Sequence, residues 1–373
     1  MCSTGIIGLI VAAGYSSRMG TFKPLLPLGE KTVIEAAVDS LQSGGIRDIR
    51  VIVGHRASEL YPLLRRLPVG IIENPNFAAG MFSSVVTGLT SLAGKAEACL
   101  LLPGDTPLIR KRSIKDLLRA YRKTDAAVVY PVFDGQRGHP PLISAKAFAA
   151  ILKGDDAGGL RHILAQFAGD SIEVAVADQG VLLDIDTRED YQQLVRFYER
   201  RQVPTYAECL GILHKFQTTE KIRRHGLAVA KVGRRLADLL TGAGLNVSTE
   251  LVVAGGLVHD LAKGKPNHPN RGARMVRSMG FSSLAGIVAS HMDLEFEAGR
   301  DIDEAALVFL ADKLVQGDRV VSLDERFNPA MERFAGNPEI LADVLRRRRT
   351  AEFIRERVAR LLGVGNIEDL VWQ

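Results

Sequence analysis

Three groups of side chains have the types and spacing that chemistry on phosphates and metal ions requires. A loop of small, hydroxyl and basic residues spans positions 12–20, and Lys23 follows it. Carboxylates stand at Asp105, Asp184 and Asp186, and a series of histidines and aspartates runs through the second half. Backbone N–H groups and cations bind phosphate oxygens, whereas carboxylates and imidazoles bind divalent metals. The sequence therefore predicts an anion-binding loop beside one cation site, and a separate second metal site.

The loop can offer many hydrogen-bond donors to an anion. Its small residues let backbone N–H groups approach a phosphate closely, and Arg18 and Lys23 add positive charge. It is neither a P-loop nor a dinucleotide fingerprint, because the Gly-Lys-Ser/Thr ending is absent and the glycine spacing differs. A plain turn with two solvated cations is the alternative interpretation. We favour a triphosphate-binding loop, whose candidate residues are Ala12, Ala13, Gly14, Ser16, Ser17, Arg18, Gly20 and Lys23.

Two carboxylates are candidates for holding a divalent cation beside that loop. Asp105 lies just after the predicted strand at residues 98–102, and ligands bind at the carboxyl ends of parallel strands. Asp186 is the natural second carboxylate, with Asp184 as a competitor. If residues 183–187 form a strand, both aspartates share one face, because side chains alternate along a strand. We predict a metal site formed by Asp105 and Asp186.

A predicted helix begins just after Gly80, and Ser83 and Ser84 lie in its first turn. The free N–H groups at a helix N-terminus favour anions, so this segment is a candidate for contact with a nucleotide or its acceptor. A simple helix cap is the competing interpretation of the two serines.

The second half carries six side chains that could bind metal. Histidines mixed with carboxylates suit hard or borderline divalent metals. Each lies in or beside a predicted helix, and helices can direct side chains from several sides into one bundle core. His268 has Pro266 and Pro269 beside it, so a solvent loop is the alternative for that residue. We predict that one metal site is formed by His225, His259, Asp260, His268, His291 and Asp312.

The first half alternates short apolar runs with helix-like stretches. Continuous apolar strands that alternate with helices indicate a mainly parallel sheet covered on both faces. We therefore expect an α/β, Rossmann-like domain over residues 1–200. The predicted strands are residues 6–12, 49–54, 69–73, 98–102 and 126–131, and the predicted helices include residues 32–42, 81–92 and 113–123.

The second half has a helical pattern throughout. Apolar residues recur at helical spacing from Val229 onward. A charged helix end followed by Pro204 places the domain join near residues 200–207. We expect an all-α domain over residues 206–330, on which C-terminal helices within residues 331–373 pack. Similar apolar stripes cover residues 249–261, 303–314 and 351–362.

Composition excludes several classes of protein. The chain has 373 residues, and 46% are hydrophobic, which is typical of globular domains and not of disordered or collagen-like chains. Its longest apolar stretches fall short of the ~18 residues of a membrane span, so we expect no membrane partner. Three scattered cysteines and the lack of an export signal fit a reducing cytoplasm.

The net charge of +5 comes partly from the run at residues 346–349. Such a run on a helix is typical of a solvated face, and no aromatic interleaving or base-reading motif accompanies it. We expect no nucleic-acid partner.

Five motifs follow one another along roughly the first 195 residues. They are residues 9–14 with 16–20 and Lys23, residues 74–81 with Ser83 and Ser84, residues 103–107, residues 138–141 and residues 183–187. Together they resemble the signature of the MobA-like nucleotidyltransferases. Within that family the Ala-Ala-Gly of the loop and the Gly-His-Pro-Pro segment resemble the molybdenum cofactor cytidylyltransferase branch.

This resemblance implies transfer of CMP from CTP to a molybdopterin-type cofactor, with Mg²⁺ or Mn²⁺ held by Asp105 and Asp186. It implies catalytic roles for Lys23, Asp105 and Arg18, and a molybdenum hydroxylase or its maturation chaperone as partner. There are two alternatives. One is transfer of a nucleotide to another phosphorylated acceptor, and the other is a chaperone that binds the cofactor without catalysis. The residues implied beyond the loop are Gly80 and Ser84 for the nucleotide, and Gly138 and His139 for the acceptor.

The histidine and aspartate series resembles the HD-domain metal-dependent phosphohydrolases over residues 206–330. His225 matches the first ligand, the pair His259–Asp260 the defining doublet, and Asp312 the last ligand. His268 and His291 match the extra ligands of members with two metals. The resemblance implies one or two divalent metals (Fe, Mn, Mg, Ni or Co) and hydrolysis of an unspecified phosphate ester. A domain that binds ligand without hydrolysis is the alternative.

Overall fold

The computed structural model describes residues 5–92, 94–154, 158–297 and 299–371. The chain forms two compact units, Met1–Arg201 and Gln202–Gln373. Cys99 and Cys209 are buried free thiols, one in each unit, and Cys2 lies outside the described residues. Among the helices that the structure describes, none combines the length and the apolar character needed to cross a bilayer.

The first unit is an α/β domain in which α1 packs against α4 and α3 packs against α5. Its strands are β1 (Gly5–Ala12), β2 (Pro27–Leu28), β3 (Lys31–Thr32), β4 (Ile49–Val53), β5 (Gly70–Glu73), β6 (Ala96–Pro103), β7 (Val128–Phe133), β8 (Gln136–Arg137), β9 (Leu142–Ser144) and β10 (Ser171–Ala175). Its helices are α1 (Val33–Gly44), α2 (Ala57–Leu64), α3 (Met81–Leu92), α4 (Lys111–Thr124), α5 (Ala145–Lys153), α6 (Gly159–Ala165) and α7 (Arg188–Glu199).

The main sheet has the order β10-β7-β9-β6-β1-β4-β5, and β8 pairs with β7. β1 pairs in parallel with both of its neighbours, so that Val11 lies opposite Ile52 of β4 and Pro103 of β6. Only β8 and β9, among the described strands of this sheet, pair antiparallel with their neighbours. The mainly parallel sheet predicted from the sequence is confirmed. The carboxyl ends of β1 and β6 therefore meet at one edge.

The sequence explains why these elements form where they do. Leu9 and Ile10 of β1 are fully buried, and burial of each such side chain contributes about 1.5–3 kcal/mol. Helix α1 begins with a reciprocal capping box between Thr32 and Glu35, and it ends at Gly45, whose φ of 103° suits glycine. The capping box and the glycine thereby define the two ends of α1.

The condition that residues 183–187 form a strand is not met, because these described residues form bends and irregular backbone. The backbone N–H groups of Asp186 and Thr187 donate to Oδ2 of Asp190, at 3.1 Å and 2.8 Å. This interaction caps α7, so those N–H groups are not available to a sheet. Asp184 and Asp186 consequently do not share a strand face.

The second unit is helical apart from a hairpin of β11 (Val315–Gln316) and β12 (Arg319–Val320), which confirms the all-α class. Its core forms where α9, α10, α13 and α15 pack on one another, around fully buried residues such as Leu236 and Phe309. The helices are α8 (Tyr206–Lys215), α9 (Glu220–Gly242), α10 (Thr249–Val258), α11 (His268–Ser278), α12 (Ser282–Ser290), α13 (Glu304–Lys313), α14 (Leu323–Arg333), α15 (Pro338–Leu362) and α16 (Glu368–Val371).

Helix α15 packs into this same core and also carries the basic run. Arg347 pairs with Asp293 at 2.8 Å, and Arg348 pairs with Asp324 at 2.6 Å. The run therefore lies on a partly exposed face of α15, as the sequence indicates, and it also forms ion pairs with other segments. The buried positions of α15 are Val344, Ala351, Ile354 and Val358.

Candidate active sites

The loop after β1 is folded around Ser16, which has a φ of 54° in the left-handed region. The Ser16 carbonyl accepts hydrogen bonds from the N–H groups of Met19 and Gly20, each at 3.2 Å. Its hydroxyl accepts from the N–H of Lys23, also at 3.2 Å. The loop is thus closed on itself, and this closure holds Lys23 near the end of β1.

Asp105 is positioned by a close contact between β1 and β6. The N–H of Gly104 donates to the carbonyl of Val11 at 2.8 Å, and a Cβ on Gly104 would lie only 3.0 Å from that oxygen. Glycine permits this approach because it has no Cβ. Gly104 therefore allows the Pro-Gly-Asp segment to place Asp105 beside the loop.

Lys23 joins two carboxylates, and its side chain is only 12% exposed. Its Nζ lies 3.1 Å from Oδ2 of Asp105 and 3.0 Å from Oδ1 of Asp186. Nη1 of the exposed Arg18 lies 2.8 Å from the other oxygen of Asp186. Burial alone would lower the pKa of Lys23, but the two carboxylates outweigh burial and raise that pKa. The Lys23 hydrogen bond in turn lowers the pKa of Asp186.

Asp105 and Asp186 could hold a divalent cation. Both contact the same Lys23 nitrogen, so their oxygens converge on one point. Carboxylate oxygens are the ligands that Mg²⁺ and Mn²⁺ prefer, and Mg²⁺ is commonly bound through one or two carboxylates plus substrate phosphates. The Asp186 side chain is 46% exposed, which leaves access for a phosphate-bearing ligand.

These side chains line a cavity of about 570 Å³, a volume typical of small-molecule sites. Asp105 and Asp186 lie in its wall. Gly20 shapes the turn with a φ of 68° and is not among the described lining residues. The predicted nucleotide-binding residues that do line the cavity are Ala12, Ala13, Gly14, Ser16, Ser17, Arg18, Lys23, Gly80 and Ser84.

Sequence reasoning missed the large apolar side chains of this cavity. Tyr15 and Met81 are 51% and 68% exposed, and both line the cavity together with Phe77. The Tyr15 ring centroid lies 5.6 Å from that of Phe77 and 4.8 Å from that of His55. Exposed aromatic rings beside a polar loop suit a flat heterocycle. The signal in the sequence that could have found this surface is Tyr15, the one aromatic residue in a loop of mostly small, polar and basic residues.

Ser84 is a buried hydroxyl that is held in place at the cavity wall. It accepts a hydrogen bond from Nδ2 of Asn74 at 3.0 Å, and the same amide nitrogen lies 2.9 Å from Oγ of Ser83. Asn74 thereby ties the start of α3 to the preceding segment. Gly80 has a φ of 93° where that segment enters the helix. Helix capping and contact with a ligand both remain compatible with these two serines.

Gly138 and His139 are not among the described residues that line this cavity. A Cβ on Gly138 would lie 2.4 Å from the carbonyl oxygen of Val181, so Gly138 is a close-packing position. His139 is exposed, but surrounding protein lowers the pKa of its imidazole, while the carboxylate of Asp105 opposes that shift. Contact of these two residues with an acceptor stays a prediction.

Asp184 and Asp186 differ in their surroundings. Asp186 contacts Lys23 and lines the cavity. Burial of the Asp184 carboxyl raises its pKa, and repulsion from Asp105 and Asp186 adds to this rise. The geometry therefore favours Asp186 over Asp184 as the second cation ligand.

In the second unit, the predicted metal ligands lie at or near the ends of five helices. These are the starts of α9 and α11 and the ends of α10, α12 and α13. The structure brings all six side chains together, although they span 88 positions of the chain (225 to 312). In chain order they are His225, His259, Asp260, His268, His291 and Asp312.

Glycines let α9 and α10 touch backbone to backbone beside two of these ligands. A Cβ on Gly226 would lie 2.6 Å from the carbonyl oxygen of Leu257. A Cβ on Gly256 would lie 2.7 Å from the backbone of α9. The rings of His225 and His259 consequently lie with their centroids 5.2 Å apart.

Three of the imidazoles are oriented by backbone carbonyls. Nδ1 of His225, His259 and His291 each lies 2.8 Å from a carbonyl oxygen, which favours a proton on Nδ1 and a free lone pair on Nε2. Within the described residues, the buried Nε2 atoms of His259, His268 and His291 have no hydrogen-bond partner. A metal would satisfy these nitrogens. The three carbonyls belong to Gly317, Gly256 and Val288.

Asp260 connects two sets of ligands through its two oxygens. Oδ2 lies 3.8 Å from Nε2 of His225 and 3.5 Å from Nε2 of His259. Oδ1 lies 3.5 Å from Nε2 of both His268 and His291. In each set the ligand atoms lie within 4.8 Å of one another. The geometry therefore fits two metals that share one carboxylate.

Asp312 completes the first of the two sets. Its Oδ1 lies 3.0 Å from Nε2 of His225 and 3.5 Å from Nε2 of His259. Burial would lower the pKa of His259, but Asp260 and Asp312 raise it to about 9. Burial would also raise the pKa of Asp260, yet its contacts with the histidines hold that pKa well below its usual range. The two carboxylates therefore favour positive charge at this centre, either a proton on Nε2 of His259 or a metal cation that takes its place.

His268 begins α11, its side chain is 21% exposed, and its Nε2 faces Asp260. The structure therefore does not place it in a solvent loop. Lys263, which is exposed, pairs with Oδ2 of Asp260, and the exposed Arg271 lies one turn further along α11. Contact of these two cations with a phosphate ester stays a prediction.

Comparison with known proteins identifies the class of each unit. Residues 8–172 match the MobA-like NTP transferase domain, and residues 222–316 match the HD domain. The chain therefore joins a nucleotidyltransferase domain of MobA-like type to a domain of the HD family.

Individual relatives resemble about half of the chain. Molybdenum cofactor cytidylyltransferase of Escherichia coli (strain K12) is 28% identical over 184 residues, which cover 49% of this chain and 92% of the relative. Nicotine blue oxidoreductase of Paenarthrobacter nicotinovorans is 27% identical over 199 residues, which cover 51% of this chain and 96% of the relative. The crystal structure of Rv0371c from Mycobacterium tuberculosis H37Rv covers 52% of this chain and 99% of its own, with 26% identity and a TM-score of 0.46.

Proposed function

We propose that the first unit transfers CMP from CTP to a molybdopterin-type cofactor and releases pyrophosphate. The observation that carries the proposal is the group of Lys23, Asp105 and Asp186 in the wall of a cavity formed by the loop after β1. The choice of CTP and of the acceptor rests on similarity to the E. coli cytidylyltransferase and on the Ala-Ala-Gly of the loop. A lysine between two carboxylates supports phosphate transfer rather than the redox reaction in the name of the second relative.

In this proposal the chain's own groups bind and orient the triphosphate. The backbone N–H groups of residues 13–17 donate to phosphate oxygens, and Arg18 and Lys23 neutralise negative charge on them. Asp105 and Asp186 would hold Mg²⁺ or Mn²⁺, which when bound supplies further charge neutralisation at the phosphates. Tyr15 and Phe77 offer ring surfaces to a flat heterocycle.

The reaction is a direct displacement at the α-phosphorus. An oxygen of the acceptor's phosphate forms a bond to the α-phosphorus, and the bond from that phosphorus to the oxygen bridging to the β-phosphorus breaks. The electron pair of the broken bond leaves with pyrophosphate. Because the acceptor oxygen attacks directly, no protein side chain becomes covalently attached. Catalysis then depends on positioning and charge stabilisation.

A panel of nucleoside triphosphates tests this proposal. Purified protein is incubated with each nucleotide, with and without molybdopterin, and release of pyrophosphate is measured. We expect release from CTP that depends on molybdopterin. A preference for GTP would move the protein to the guanylyl branch. Release of pyrophosphate when a sugar phosphate replaces molybdopterin would favour transfer to that acceptor. Tight binding of cofactor without any turnover would favour the chaperone.

For the second unit, we propose a phosphohydrolase with two metals. The observation that carries this proposal is the shared carboxylate, since each oxygen of Asp260 faces a different pair of histidines. Fe, Mn, Mg, Ni and Co are the candidate metals. When bound, two such metals supply an activated water and a clamp for a phosphate. The histidines and aspartates hold the ions, and Lys263 and Arg271 would contact phosphate oxygens.

Elemental analysis of untagged protein, purified without chelators, tests the number of metals. We expect two equivalents in the native chain and one or none in His268→Ala. A single equivalent that is unchanged in His268→Ala would contradict the two-metal centre. Release of phosphate from a set of phosphate esters, measured on the same samples, then tests hydrolysis.

The proposed setting for both activities is the cytoplasm, with a molybdenum hydroxylase or its chaperone receiving the modified cofactor.

A further inference from the structure

We propose that Lys313 is a positioning residue that holds the two halves of the histidine–aspartate centre together. The proposal rests on the metal centre proposed above for the second unit. Lys313 follows Asp312 at the end of α13, and it is only 4% exposed.

The Lys313 ammonium is surrounded by partners. Its Nζ donates to Oδ2 of Asp312 at 2.7 Å and to the backbone carbonyl of His291 at 3.1 Å. It also lies 4.5 Å from the centroid of the Phe309 ring, within the range of a cation–π contact. A buried ammonium is costly unless it is paired and hydrogen-bonded, and here it is both. Its contacts leave it facing protein groups rather than a substrate.

The first contact fixes the orientation of Asp312. Lys313 occupies Oδ2, and the other oxygen, Oδ1, lies 3.0 Å from Nε2 of His225. The carboxylate therefore presents one defined oxygen to the first set of ligands. Without the ammonium, the carboxylate could rotate and would lack a partner for a buried oxygen, which is unfavourable.

The second contact fixes the end of α12. The carbonyl of His291 lies just after that helix, where backbone carbonyls lack partners inside the helix, and a cation there is favourable. The His291 ring is already oriented by the carbonyl of Val288 at 2.8 Å. Lys313 thus anchors the backbone of the residue whose Nε2 belongs to the second set.

The two contacts together distinguish Lys313 from the backbone carbonyls that orient single histidines. Asp312 belongs to the first set of ligands and His291 to the second, so one ammonium bonds to a residue of each. Loss of Lys313 should therefore weaken both metals, whereas loss of His268 removes a ligand from one set. Groups that orient metal ligands are typically worth about 10–100-fold in metal affinity.

Titration with Co²⁺, followed by visible absorption, tests this role without reference to activity. The full chain is used, and every sample carries Asp105→Asn so that the cation site of the first unit does not contribute. Lys313→Met removes the charge and keeps an unbranched side chain of similar length. Lys265→Met is the matched control, because Lys265 is an exposed lysine in the loop before α11. Lys313→Arg is the conservative variant that restores a cation.

We expect two equivalents of Co²⁺ in the parent and in Lys265→Met. In Lys313→Met both equivalents should bind at least about tenfold more weakly, and Lys313→Arg should recover part of that loss. Affinity unchanged in Lys313→Met, or weakened for one equivalent alone, would overturn the proposal. If Lys313→Met does not unfold cooperatively, Lys313→Gln takes its place with the same expected outcomes. A parent that binds no Co²⁺ would instead refute the metal centre itself.

Discussion

The two candidate sites differ in what they offer a cation besides carboxylates. In the first unit the carboxylates lie on loops, are partly exposed, and are already paired with Lys23 and Arg18. In the second unit the ligands lie at helix ends, and three buried Nε2 atoms have no partner within the described residues. At the first site a metal must therefore compete with cations for both carboxylates. At the second site Lys263 pairs with Asp260 and Lys313 with Asp312, but there a metal also satisfies buried nitrogens that have no other partner. We infer that the first unit holds its metal ion weakly and receives it together with the phosphates. The second unit holds a pair of metal ions tightly.

The change with the largest expected effect is Asp260→Asn, because it removes the one carboxylate shared by both sets of ligands. We expect loss of both metal equivalents and of any hydrolysis, while nucleotidyl transfer by the first unit is unchanged. Elemental analysis and pyrophosphate release are measured on the same preparation. Asp238→Asn, at an exposed carboxylate bonded to Thr249, is the control and should keep both metals. Retention of even one full equivalent in Asp260→Asn would show that the carboxylate does not bridge.

Asp105→Asn is the corresponding change in the first unit. Loss of a group that stabilises charge on the transferring phosphoryl typically costs about 10²–10³-fold in turnover. We expect a loss of that size in CMP transfer, with the metal content of the second unit retained. Steady-state release of pyrophosphate from CTP measures it.

Parallel variants at the two competing aspartates sharpen the assignment. Asp186→Asn should cost more than Asp184→Asn, because Asp186 contacts Lys23 and lines the cavity. The reverse order would exchange their roles.

Lys23→Met tests whether the lysine acts on the substrate. It removes a cation that contacts both carboxylates, so we expect transfer to fall by about 10–100-fold, the scale of losing one charge-assisted contact to phosphate. Thermal unfolding should show a folded first unit. Intact transfer with a lowered melting temperature would instead make Lys23 a purely structural residue.

Tyr15→Ala should have the smallest effect of these changes. The exposed ring can stack on a flat heterocycle, and such a contact is worth about 1 kcal/mol, which corresponds to roughly a fivefold rise in KM. We expect kcat to change little, because an aromatic ring neither neutralises phosphate charge nor holds the cation. Measurement of KM for CTP and for the acceptor separately shows which of the two the ring contacts. Unchanged values for both would exclude a role in binding.

The parallel strands, and the meeting of the six histidine and aspartate side chains at one place, could be predicted from the sequence. Several contacts that position them could not. Strands such as β1 are recognisable in the sequence because a strand covered by helices on both faces must be apolar throughout. Candidate metal ligands are recognisable because histidine and aspartate are the residue types that bind metals. Asn74 and Lys313 are ordinary polar residues in the sequence, and their roles depend on partners brought near by folding. The same is true of Tyr15 and His55, which stand 40 positions apart (15 to 55) yet have their ring centroids at 4.8 Å. β9 was missed because three residues are too few to show a period.

The contact between α9 and α10 has a consequence for how the second unit tolerates change over generations. Because Gly226 and Gly256 bring main chain against main chain, the distance between His225 and His259 is set by atoms that every sequence possesses. Apolar residues elsewhere in the unit can then be exchanged for one another, which alters melting temperature but leaves the spacing of the two imidazoles intact. A methyl group added at either glycine has the opposite pair of effects. It widens the spacing of the two imidazoles, but it hardly changes the hydrophobic character of the interior.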